Sequence, residues 1–242
     1  MRTVIRGLTA SGLVLALAGA SPALAAPAKP GAAVAATPEM HLKLISELRA
    51  SGRPRAALAH LDAYDAKTPR SPRAQVLRAD CLVDVGQYDA AQAVYARLLK
   101  GPEASAAYAG MGRVAALRGD WKAAAVQFGQ AVQRNPVDAP MVSDLGFALL
   151  RAGDTAGAVF RLRQAAELAP DNPVIPNKLI LAYEVDGDDE AARRLLAQVK
   201  SADDRKAIAA MRADLKPTPT AAGSAAGRWQ GRTRCDRVDP EP

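Results

Sequence analysis

The sequence predicts an all-α solenoid of about five helix–turn–helix repeats closed by a C-terminal capping helix. Three observations predict it. Aromatic residues are only 4% of the 242 residues, while Ala is abundant. Ala loses no side-chain entropy in a helix, whereas strands favour β-branched and aromatic side chains. Five glycines that break apolar helical runs (Gly52, Gly86, Gly119, Gly153 and Gly187) stand 34, 33, 34 and 34 residues apart. The residue five places after each is always Ala (Ala57, Ala91, Ala124, Ala158, Ala192), and Pro69, Pro102, Pro136 and Pro170 fall on the same grid. A fixed period of this length is the signature of stacked supersecondary units.

The chain opens on "MRTVIRGLTASGLVLALAGASPALAAPAKP". Arg2 and Arg6 make a short cationic segment, Leu13 to Ala20 is an unbroken apolar run, and Ala23-Leu24-Ala25 is a small-x-small cleavage site. The apolar run is shorter than the about 20 residues that span a bilayer. Residues 1–25 therefore read as a cleaved signal peptide and 26–37 as a linker, and no transmembrane segment is expected after cleavage. Export to a bacterial periplasm follows. No Cys stands near the cleavage site, so lipid attachment is not expected.

The repeats fall over 38–71, 72–104, 105–138, 139–172 and 173–201. In each, a first helix ends at the glycine, which supplies a left-handed conformation other residues resist. The Asp or Gln that follows it in the last four suits the start of a second helix. Gly or Ala in the first helix and the invariant Ala in the second allow close approach. The prolines stop the second helix, because proline lacks an N–H and clashes with the preceding turn. The tripeptide Arg118-Gly119-Asp120, an adhesion motif in other settings, falls on such a turn, and turn chemistry accounts for it. Residues 202–215, "ADDRKAIAAMRADL", place Ile208, Met211 and Leu215 on one helical face and read as the capping helix that a solenoid needs. From Lys216 the Pro, Gly, Ser and Thr content reads as a disordered tail over 216–242. Trp229 among its arginines is a short linear anchor or a loose solvated segment.

The formal net charge of +7 is shared with both ends, and no dense Lys/Arg stripe crosses the repeats, so a nucleic-acid partner is not expected. Of the two cysteines, Cys81 lies in a helical pattern and reads as a small packing residue, while Cys235 lies in the tail as a free or intermolecular thiol. The only two histidines, His41 and His60, have no Cys beside them, and no zinc, nucleophile-elbow or phosphate-loop motif occurs. No catalytic residue, cofactor or metal is expected.

The period and the order Leu-Gly (Leu145-Gly146), Gly153, Ala158, Leu162, Ala165, Pro170 resemble the tetratricopeptide repeat (TPR). That resemblance implies that the first helices line a concave groove. Counting the groove positions gives Val76, Asp80, Val83 and Asp84 in the second repeat and Ala109, Arg113, Ala116 and Leu117 in the third. It gives Ser143, Phe147, Leu150 and Arg151 in the fourth, and Asn177, Leu181, Glu184 and Val185 in the fifth. Apolar Phe147, Leu150, Leu181 and Val185 beside Arg113, Arg151 and Asn177 suit an amphipathic helix or an extended peptide of a protein partner. Cover by the chain's own C-terminal helix or tail is the competing reading. A TPR groove that grips a peptide carboxylate uses Lys and Asn at fixed positions; here Leu42, Ser46, Leu77, Ala106 and Gly110 stand there.

The stretch Met141 to Leu196, "MVSDLGFALLRAGDTAGAVFRLRQAAELAPDNPVIPNKLILAYEVDGDDEAARRLL", resembles the TadD-like proteins of Tad (Flp) pilus assembly. One inserted Lys in Asn177-Lys178-Leu179 departs from that family's Asn-Leu pair. The resemblance implies an envelope adaptor that helps build a pilus secretion channel, with secretin or other assembly components as partners and peripheral envelope association. A periplasmic TPR adaptor for peptidoglycan or outer-membrane machinery is the alternative.

Overall fold

Gly119 shows how the chain is folded back at each repeat. Its φ is 81°, Gly119 N donates to Ala116 O at 2.9 Å, and Asp120 N donates to Ala115 O at 3.0 Å. The same long-reaching bond recurs after the other four glycines, from Arg53 to Leu48, Gln87 to Leu82, Asp154 to Leu149 and Asp188 to Tyr183. All five glycines have positive φ, between 73° and 92°. This is the helix-terminating pattern that only a residue without Cβ adopts cheaply, and it puts every second helix antiparallel to its first.

The computed structural model describes residues 37–68 and 71–215. Within them are eleven helices. The first repeat is α1 (Pro38–Ala50) and α2 (Pro54–Asp65), and the second is α3 (Pro72–Asp84) and α4 (Tyr88–Leu98). The third is α5 (Ala104–Leu117) and α6 (Trp121–Arg134), the fourth α7 (Ala139–Ala152) and α8 (Thr155–Leu168), and the fifth α9 (Val174–Asp186) and α10 (Asp189–Gln198). The expected capping helix is α11 (Ala202–Leu215). All belong to one compact unit that starts at Pro38. The expected signal peptide, residues 26–36 of the linker, Pro69 and the tail from 216 to 242 with Trp229 and Cys235 lie outside the described residues.

Close packing within each hairpin depends on small residues. Ala57, Ala91, Ala124 and Ala158 are fully buried, and a Cβ on Gly146 would stand 2.7 Å from Leu162 Cγ. Separate hairpins join through apolar clusters that straddle them. One runs from Ala115 through Phe128 and Leu145 to Ile175, and another from Leu150 and Leu162 through Leu181 to Ile208 on α11. Met211 and Leu215 pack against that last cluster, so the predicted apolar face of the capping helix is the one buried. Since a hairpin exposes an apolar side to its neighbour, the stack rather than the hairpin is the folding unit.

The adhesion tripeptide is occupied by structure. Gly119 makes the turn and the Asp120 carboxylate accepts from Ala123 N at 2.9 Å, capping α6. Arg118 reaches back to α4, donating to Asp89 at 2.6 Å and Gln92 at 3.1 Å. Cys81 is buried against Tyr64, Leu61 and Ala74, as a packing residue would be, and burial pushes its thiol up to about 11.

Candidate functional site

Charge organises the side of the stack built by the first helices. Arg49 on α1 donates through Nε to Asp84 Oδ2 at 2.6 Å and through Nη1 to Asp80 Oδ2 at 3.2 Å, both on α3. Arg113 on α5 donates to Asp80 Oδ1 at 2.9 Å, and the phenol of fully buried Tyr95 on α4 donates to the same oxygen at 2.5 Å. Burial, and then the Asp80 charge, hold the Tyr95 phenol far above the usual tyrosine range, so it remains a donor. A Cβ on Gly110 would overlap the Tyr95 ring, so the ring reaches Asp80 only because α5 has no side chain there. One carboxylate thus ties three repeats together.

A second set of bridges runs through the last repeats. Lys178 on α9 donates to Asp144 on α7 at 2.7 Å. Arg212 on α11 grips Glu184 on α9 with two bonds of 2.9 and 2.6 Å, and Asn177 Nδ2 donates to Asp204 of α11 at 3.2 Å. Among the described residues no ion pair joins α5 to α7. Rings fill that junction: Trp121 on α6 meets Phe147 edge-on at 5.9 Å, and the Arg151 guanidinium lies 4.4 Å from its ring centroid.

These bridges correct the groove expected from the sequence. Ser143, Leu150, Asn177 and Leu181 are buried, none more than 5% exposed. Leu150 and Leu181 belong to the apolar cluster shared with α11, and Asn177 is bonded to α11, so these positions face the neighbouring helix rather than an open groove. Glu184 is taken by Arg212, and Arg113 by Asp80. Phe147 and Arg151 do come together, on Trp121, a residue that sequence reading missed. Leu117 and Val185 are exposed, at 55% and 52%. At the fifth repeat the chain's own α11 is the cover.

The open part of the face lies at the other end. A cavity of about 540 Å³ sits between α1, α3 and the residue that opens α5. Leu42, Val76 and Leu77 provide its apolar lining, and Glu39, Lys43, Arg73 and Glu103 stand around them without an ion-pair partner among the described residues. The sequence held the signal for them. The positions counted in later repeats, if also counted from Pro38, give Leu42, Ser46 and Arg49, and Glu39 and Arg73 stand three residues before the first counted position of their repeats.

Among the described residues, no three His, Cys, Asp or Glu side chains are grouped to hold a metal ion. His41 and His60 meet with ring centroids 6.0 Å apart, and His41 also packs edge-on against Tyr64. No described helix is long and apolar enough to cross a membrane.

Comparison with known proteins agrees with this architecture. The tetratricopeptide-repeat family model matches residues 48–114 and 149–215. The chain is 32% identical over 189 residues to the TPR repeat-containing protein PA4299 of Pseudomonas aeruginosa, covering 76% of this chain and 75% of that one. Its fold is similar to that of TTC0263, a thermophilic TPR protein of Thermus thermophilus (TM-score 0.60, 23% identity, 74% of this chain and 98% of the other). It is also similar to the MamA 41-end structure from Desulfovibrio magneticus (TM-score 0.54, 20% identity, 66% and 92%). Matching family repeats and hairpins turned at periodic glycines agree, and the chain belongs to the tetratricopeptide-repeat family of protein-binding scaffolds.

Proposed function

We propose that this protein is a non-enzymatic periplasmic adaptor that holds a segment of a protein partner in the groove of its first two repeats. On this reading it serves assembly of a Tad/Flp-type pilus or secretion channel. The observation that carries the reading is the cavity between α1 and α3, where an apolar lining is ringed by four charged side chains that have no ion-pair partner among the described residues. Such a groove takes one or two aliphatic side chains of an extended or helical peptide, and the two acids and two bases fix its direction. The secretory pattern of residues 1–25 supports the compartment, and the resemblance over Met141 to Leu196 supports the machine.

The test is genetic and biochemical. A strain lacking the gene is complemented with the natural chain or with a Lys43→Glu, Arg73→Glu double variant, and secretin multimers are followed on gels and pili by microscopy. Restored multimers with the first and not with the second are expected, with both proteins equally helical by circular dichroism. Intact multimers and pili in the deletion strain would remove the pilus assignment. Full rescue by the double variant would remove the groove.

A further inference from the structure

We infer that the cleft between α10 and α11 is a second docking site, which takes an acidic peptide segment bearing an aliphatic side chain. It stands apart from the groove of the first repeats and does not depend on the pilus reading. The cleft has a volume of about 500 Å³ and is lined by Arg193, Leu196, Ala197, Arg205, Ile208 and Arg212. Three guanidinium groups line it and no carboxylate does. Arg212 is balanced from behind by Glu184 on α9. Arg205 spends Nε and Nη2 on the Val199 carbonyl, at 3.0 and 2.9 Å, and among the described residues no carboxylate pairs with it. Arg193 is exposed and has no ion-pair partner among the described residues.

Charge complementarity selects the occupant. Two uncompensated guanidiniums on opposite walls, one on each helix, match carboxylates spaced along one peptide, because each guanidinium can bind a carboxylate through two parallel N–H donors. Half-buried Leu196 and exposed Ala197 between them offer apolar contact for one aliphatic side chain. A recess of about 500 Å³ receives part of a single chain, whereas a bilayer surface would meet only its arginine rim. The uncompensated charges also have a locational logic. The polar outer side of a capping helix normally needs only solvent, yet here the cations face each other across a recess.

The experiment uses the mature full-length chain and fluorescence anisotropy. The probe is a fluorescein-labelled peptide, Glu-Leu-Glu-Val-Asp-Glu, with its Gln/Asn counterpart as control. Expected are binding that weakens steeply with salt, a loss of at least about tenfold with the control or with Arg193→Glu, and no change with Lys122→Glu, an exposed residue of α6 outside both sites. Arg193 is exposed and has no ion-pair partner among the described residues, so its variant keeps the fold; Arg205→Lys, which retains charge but loses the fork, gives an intermediate loss. Equal binding by Arg193→Glu or by the neutral control would overturn the proposal. So would binding to phosphatidylglycerol vesicles without binding to the peptide. Binding that emerges only after Asp239→Lys and Glu241→Lys would assign the cleft to the chain's own acidic C-terminal segment, and would overturn the partner reading as well.

Discussion

In the first two repeats the second helices begin without side-chain caps: neither Arg53 nor Gln87 bonds the backbone of the helix it precedes. In the last three, Asp120, Asp154 and Asp188 each accept from a backbone N–H three residues on. The first helices differ in the same sense. Early in the stack they are joined through the polar node at Asp80, and the groove beside it keeps its charges free. Late in the stack Leu150, Leu181 and Ile208 merge into one apolar cluster, and α11 covers α9. The contrast teaches where a scaffold can bind. Apolar clusters and polar bridges join repeats at both ends; what differs is that α11 covers the late groove positions, whereas among the described residues no helix covers Leu42, Val76 and the charges around them.

Leu181→Ala opens a cavity in the late cluster and is expected to cost about 2–5 kcal/mol, against about 1 kcal/mol for Val76→Ala in the half-open groove. Urea denaturation measures both, and equal losses would erase the distinction. Tyr95→Phe removes a donor from the Asp80 carboxylate and should cost about 1.5–3 kcal/mol, the range for a hydrogen bond to a charged group. A double-mutant cycle with Arg113→Met tests whether the node is one unit; additive losses would mean that it is not.

Capping can be moved between the halves. Asp154→Ala should lose about 1 kcal/mol, and Gln87→Asp should gain about 0.5 kcal/mol by giving α4 the cap it lacks. Thermal melts of the two variants read this directly, and a destabilised Gln87→Asp protein would show that the early turn cannot use a cap. The next effect is set by pH and belongs to the early half alone. The Cys81 thiol is raised by burial from 9.0 to about 11. The native state therefore holds this proton more tightly than the unfolded chain. Its contribution is complete below pH about 9 and is lost as pH rises toward about 11. Hydrogen exchange at pH 8 and 10 should show protection falling in α3 while α9 changes less, and Cys81→Ala should reduce the difference, leaving the part carried by the Tyr95 phenol, which burial also raises. Smallest of all, Arg118→Ala removes a pair with exposed Asp89 and should cost less than about 1 kcal/mol. A larger loss would give the tripeptide a structural weight that its surroundings do not explain.

Much of this molecule is legible in one dimension. The glycine grid and the repeated alanines mark every hairpin, because a turn that demands positive φ and an interface that admits only a methyl group select residue types locally. The helix 202–215 is legible for the same reason, through the spacing of Ile208, Met211 and Leu215. The groove is not. Asn177, Leu181 and Glu184 hold groove positions by count, yet one is bonded to Asp204, one is buried beside Ile208, and one is gripped by Arg212. Nor does any spacing announce that Tyr95 crosses Gly110 to meet Asp80, or that Trp121 gathers Phe147 and Arg151. Periodicity states which way a side chain points from its own helix. Whether it then meets solvent, a partner or another helix depends on groups far away in the chain, and those meetings exist only once the repeats are stacked.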